Sequence, residues 1–398
     1  MSAPGTHHWK LKAACAEPYR VLFPLGLFGA AAGLGVWIPH YFWPQVFGYP
    51  GQSHAVLQIQ GFLLCFVFGF LGTMLPKVHG VAPLGAAQFL AFPLGLIALM
   101  AAALLNMPFA AQFIHFALLV NFVAFMLWRW PERRGNPPSF FVFIAAALLA
   151  DVAGTLLRLA SLAGLASGST FRLGGLLQFQ AFPLMLVLGV GGFLLPKLFA
   201  GEIIDPQRLK PDGTGTRGLL VAAALFLAGF FIEALLPFYP LSVRLGSGLR
   251  AAVWIWFLFT QVRLHRVPGG LPAYLAAARW SLWLMGLGML MPVFLPRYLL
   301  AWEHVVFITG VLWLTLSVAS RVLAAHGGRL GLLESSRKTV LAFGWLIALA
   351  AATRVSTEIW TKERNLHLAL ASGFALIGMI LWSRRFVPLL FRFPGDGK

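Results

Sequence analysis

Charge and cysteine are what this chain has least of. Only 11% of its 398 residues are Asp, Glu, Lys or Arg, and two are cysteine, Cys15 and Cys65. So little charge excludes a water-soluble globule of ordinary composition, in which about a quarter of the residues are charged. The two cysteines, one ahead of the first apolar run and one inside the second, make neither a disulfide framework nor a CxxC motif. Acidic residues are scarcer still, 12 against 30 Lys and Arg, for a formal net charge of +18. That excess would suit nucleic acid if it lined one polar face, but the basic residues fall between long apolar runs. Nucleic acid is therefore not expected as a partner, and the charge reads as a signal that orients the chain in a membrane. The first eighteen residues hold no apolar core followed by a cleavage site, so no removable signal peptide is expected and the first helix is retained.

Apolar sequence is what the chain has in abundance: 59% of its residues are hydrophobic and the mean hydropathy is +0.82. Runs long enough to cross the ~30 Å of a bilayer core lie at 20–38, 54–76, 82–104, 107–128, 138–158, 175–196, 217–237, 247–263, 273–294, 298–322, 338–353 and 367–384. They predict an all-α integral membrane protein of about twelve helices. A tail of 1–18 precedes a single transmembrane domain at 19–386, and a tail of 387–398 follows it. Most Lys and Arg fall in the loops on the side shared by the two ends, while the loop at 39–53 on the other side has none. The positive-inside rule then places both termini in the cytoplasm.

The segment that opens the second predicted helix carries the most chemistry. Stepping from His54 at helical spacing meets Gln58, Gly61, Cys65, Gly69 and Gly72. The stripe below the imidazole is thus small and partly polar. Glycines such as Gly61 would let a flat porphyrin approach the backbone, with His54 as axial ligand. The same glycines would equally let two helices pack closely. An internal parallel repeat bears on this choice. At an offset of 120 residues, the segment 57–77 matches 177–197, including Leu57-Gln58, Gln60, Phe62, Gly69, Gly72 and Leu75-Pro76-Lys77. Position 54 is histidine in the first copy and Gly174 in the second, as expected if the shared glycines serve packing and the unshared histidine serves chemistry.

Five histidines, His40, His54, His115, His304 and His367, fall on the side opposite the termini. Ionisable groups inside membrane spans are costly and mark function. His54 and His304, on two helices at matched depth, form the best pair for a six-coordinate haem iron. His115, His367 and His40 are further candidate metal ligands.

His54 with Gly61-Phe62 and Gly69-Phe70-Leu71-Gly72-Thr73-Met74-Leu75-Pro76, then Trp302-Glu303-His304, and Ser320-Arg321-Val322 followed by His326-Gly327-Gly328-Arg329, resemble the NnrS family of haem- and copper-containing membrane proteins linked to the nitric oxide response. The resemblance covers most of the chain. Family members carry an H-A-H-E-M motif at the mouth of helix two, where this chain reads His54-Ala55-Val56-Leu57-Gln58. The second histidine and the methionine are absent, and with them the groups a second metal, copper above all, would use. A more distant likeness is to the catalytic subunit of haem-copper oxidases and nitric oxide reductases. There the low-spin haem lies between histidines of helices two and ten, positions matched by His54 and His304, and an arginine at the position of Arg354 meets the haem propionates. The histidines of that superfamily's copper centre and second haem have no counterpart here, so its binuclear chemistry, and with it an assignment as an enzyme, is not supported.

These readings imply a haem-binding, multi-pass protein of the bacterial inner membrane. One haem b would be bridged by His54 and His304, with Arg354 or Arg297 balancing propionate charge. The bilayer is its surroundings, nitric oxide or another diatomic its ligand, and a quinol or other redox partner its electron source. Filled axial positions favour electron transfer, whereas release of one histidine would admit a diatomic. Two other readings compete: a transporter using the intramembrane Asp151 and Glu233, and an accessory subunit of a membrane reductase or oxidase. Met285, Met289 and Met291, all soft donors, read as core filling.

Overall fold

The computed structural model describes residues 11–200, 213–236, 238–267 and 269–392. His7, His8, Lys10, Arg208, Lys210 and Lys398, which entered the reading of the tails and of charge asymmetry, lie outside the described residues. Among the described residues every regular element is a helix. Burying a backbone in hydrocarbon leaves little else open, since each N–H and C=O must be satisfied within its own segment. Among the described residues eleven helices are long and apolar enough to cross a membrane: α1 Tyr19–Phe42, α2 Gly51–His79, α3 Ala86–Leu104, α4 Pro108–Glu132, α5 Phe141–Leu162, α6 Gly168–Phe199, α7 Gly215–Leu235, α9 Ala273–Phe294, α10 Pro296–His326, α11 Arg337–Ser356 and α12 Thr361–Phe391. The twelfth expected span corresponds to α8, Leu241–Trp256 continuing as Phe257–Gln261. It starts earlier than the apolar run at 247–263, takes Arg244 into the helix in addition to Arg250, and is correspondingly less apolar. The chain is an all-α, multi-pass membrane protein.

By their contacts the helices group into two compact units, Met1–Ala30 with Val56–Pro137, and Ala31–Ala55 with Pro138–Lys398. The first is held together in part by close backbone approach. A Cβ at Gly26 would sit 2.8 Å from that of Cys65, one at Gly29 3.0 Å from the carbonyl carbon of Gly61, and one at Gly69 2.9 Å from the Cα of Tyr19. Nearby, the Phe68 ring stacks on Phe122, their centroids 4.7 Å apart, and also meets Phe92. Helix α2 ends where Gly80, at φ +65°, takes the left-handed conformation and bonds its N–H to the Pro76 carbonyl. In the second unit α5 packs on α6, α7 on α8, α9 on α10 and α11 on α12, the pattern short connections impose on successive antiparallel helices.

The repeat extends further than sequence comparison indicates. Helix α2 passes into a π-helical stretch at Leu57–Leu63, and α6 does so at the matching Leu177–Ala181. Two further such stretches are Phe257–Gln261, which ends α8 with no histidine ahead of it, and Val305–Leu312, which begins directly after His304 in α10. Positions 54, 174 and 304 thus stand just ahead of the same irregularity on every fourth helix. Wide turns of this kind are rare and occur often at functional sites.

Candidate functional site

His54 lies in the first turn of α2 and His304 in the first turns of α10, each just before its π-helical stretch. The fold brings them together. Their ring centroids are 6.5 Å apart and their planes differ by 13°. Nδ1 of His54 is 2.7 Å from the Gly33 carbonyl oxygen of α1, and Nδ1 of His304 is 2.7 Å from the Leu300 carbonyl oxygen one turn earlier in its own helix. A neutral imidazole that donates Nδ1–H to a carbonyl keeps its Nε2 lone pair free for a metal. Both rings are partly buried.

The arrangement was tested against a metal bound between the rings. Two metal–nitrogen bonds of about 2 Å, with the short reach from nitrogen to ring centre at either end, span roughly 6 Å, and the observed spacing fits. Among the described residues no group of three or more His, Cys, Asp or Glu is placed to hold a metal ion. Two nitrogen donors on opposite sides complete the coordination of a metal whose other ligands come from a macrocycle, which is the donor set of bis-histidine haem.

Arg354, in the last turn of α11, is 5% exposed and lies within electrostatic reach of both imidazoles. Its Nη1 donates to Thr357 Oγ1 at 2.5 Å and to Glu358 Oε1 at 3.4 Å. Arg297 is exposed in the turn that opens α10, over the Tyr298 ring. Of the two arginines expected to meet propionates, Arg354 is buried and Arg297 is exposed. Gly61 lies against α1. A Cβ there would lie 3.5 Å from Met100 and 3.7 Å from Gly29, and a Cβ on Gly29 would press on Gly61 itself. This glycine serves the contact of α1 with α2, and the stripe below His54 is a packing seam.

The remaining histidines divide. His40 is buried with its ring 5.9 Å from both Trp37 and Tyr49, and Trp37 also stands edge-on to His54 at 5.5 Å, so His40 joins the aromatic surround of the pair. His367 shares a 2.8 Å hydrogen bond with Ser356 Oγ through its Nδ1 and meets the Trp360 ring. His115 is buried in the other unit.

Sequence reasoning missed a polar cluster next to His304. Gln180 Nε2 of α6 donates to Glu303 Oε1 at 2.9 Å. A small cavity lined by Gln180, Ser247, Arg250, Met289, Glu303 and Phe307 joins this pair to a buried ion pair, in which Arg250 Nη2 lies 2.5 Å from Glu233 Oε2 and Nη1 donates to the Gly229 carbonyl. Arg250 lies inside the apolar run at 247–263, and its partner Glu233 comes from another helix, a pairing that spacing along one run does not show. Asp151 is fully buried in α5, where Thr155 bonds its carbonyl and Gln178 bonds Thr155. Met285 and Met289 are buried core side chains, Met285 against Gly310.

A family model described as NnrS protein matches residues 13–393. No curated protein matches the chain.

Proposed function

The chain belongs to the NnrS family, whose membership supports a membrane protein associated with the nitric oxide response, and from that premise we propose that it acts through one haem b held between His54 and His304. The observation that carries this reading is the near-parallel imidazole pair at 6.5 Å with both Nδ1 atoms engaged by carbonyls. Haem would supply a one-electron iron centre able to exchange electrons or bind a diatomic. The residues do the rest. Gly33 and Leu300 fix the tautomer and aim of the two rings, Trp37 limits the rotation of His54, and Arg354 would supply the positive charge a propionate needs. With both rings in place the arrangement favours electron transfer from a quinol or protein donor. Release of one ring would open a position for nitric oxide.

The transporter reading loses support from Glu233, whose charge is matched by Arg250 within α7 and α8. The test is optical. Protein purified after expression with ample haem should show a Soret band and sharp reduced-minus-oxidised bands, and His54→Ala and His304→Ala should each abolish or strongly shift them. Full pigment content in both variants would defeat the assignment, and metal analysis showing copper at the same pair would replace haem with copper.

A further inference from the structure

Arg158 is used by nothing described so far. It lies in the last two turns of α5 and is 3% exposed. Its guanidinium carbon stands 4.3 Å from the centroid of Phe171 and 4.8 Å from that of Phe179, two rings of α6. Its Nε and Nη2 are buried and make no hydrogen bond, and no carboxylate pairs with it among the described residues. Those two nitrogens share one edge of the planar group, the edge whose parallel N–H bonds receive a carboxylate or phosphate in bidentate fashion. A buried cation with its best-formed donor edge empty and its position held by aromatic rings is costly unless an anion meets it.

The internal repeat shows how this place arose. Gly174 stands where the first copy carries His54. A Cβ at Gly174 would lie 2.8 Å from Arg158 Cγ and 2.9 Å from the Gly154 carbonyl oxygen. With no side chain at this position in the second copy, the arginine of the neighbouring helix crosses the space a Cβ would fill.

We propose that Arg158 is the receptor of a second site, distinct from the histidine pair, for a ligand presenting two oxygens on one centre: a small oxyanion or the phosphate of an anionic lipid. Phe171 and Phe179 hold the guanidinium, and the Nε/Nη2 edge donates two hydrogen bonds to the oxyanion.

The test uses the full-length protein, delipidated in an uncharged detergent. One arm titrates inorganic phosphate and acetate and follows tryptophan fluorescence; the other adds phosphatidylglycerol and counts adducts by native mass spectrometry. One arm should show one-to-one binding, phosphate or acetate identifying a free anion and phosphatidylglycerol a lipid. Arg158→Gln should weaken that binding at least tenfold, the loss expected for a pair of charge-assisted bonds, and Arg158→Lys should recover only part of it. If Arg158→Gln does not fold, Phe171→Leu, which keeps apolar bulk but removes the ring face, should still weaken binding several-fold. His54→Ala should leave it unchanged, so this site stands or falls separately from haem. Absence of binding in both arms, or equal binding by the wild type and whichever of the two variants folds, overturns the proposal.

Discussion

His54 and His304 are held as metal-ligating imidazoles are held, one ring nitrogen on a carbonyl and the other left free. At this scale the haem assignment predicts that His54→Ala and His304→Ala lose haem together, because one axial ligand does not replace two, whereas Arg297→Gln retains pigment because Arg297 is exposed in a turn. Pigment-to-protein ratios check this. Glu233→Gln should destabilise the fold by about 3 kcal/mol, since it strands a buried guanidinium, and Glu233→Gln with Arg250→Met should recover much of that loss; resistance to thermal unfolding is the measurement. Both histidines proposed as ligands were legible in the sequence because an imidazole in an apolar run stands out. The surroundings of Arg158 and Arg250 were not, because both lie near the end of an apolar run and what each meets, Phe171 and Phe179 or Glu233, comes from a different helix.

Among the elements, the seam between α1 and α2 shows how far periodicity reaches. It correctly marked His54, Gln58, Gly61, Cys65, Gly69 and Gly72 as one small stripe, but a stripe does not say what lies against it. Gln58 donates to the Ala30 carbonyl, and the glycines below receive α1. Gly29→Ala should therefore cost about 1–3 kcal/mol by overpacking against Gly61, whereas Gly35→Ala, with nothing within 4 Å, should be neutral or slightly stabilising. Thermal stability of the two variants separates these outcomes. The π-helical stretches were invisible in the sequence because a wide turn inserts a residue without altering composition. They also shift the register by which a face is read, so a stripe counted at 3.6 residues per turn drifts past such a stretch.

For the molecule as a whole, orientation follows from charge. With the termini inside, a cysteine replacing the exposed Val46 in the 39–53 segment should react with a membrane-impermeant maleimide from outside, and one replacing the exposed Lys338 should react only after permeabilisation. The native Cys15 and Cys65 are both buried, which keeps the background low. Labelling in the reverse order would invert the topology and move the histidine pair to the other side of the membrane.

The sequence by itself determined the class of the molecule, the approximate place of its helices, the repeat at 57–77 and 177–197, and the two histidines worth pairing. These are properties of local composition and spacing, which survive in one dimension. Tertiary structure alone decided that the rings of residues 250 positions apart lie 6.5 Å from each other, that Arg354 is buried while Arg297 is exposed, that Gly61 packs against α1, and that Arg158 is buried against two phenylalanine rings. Each depends on which helices become neighbours and how they are rotated, and long-range packing sets both.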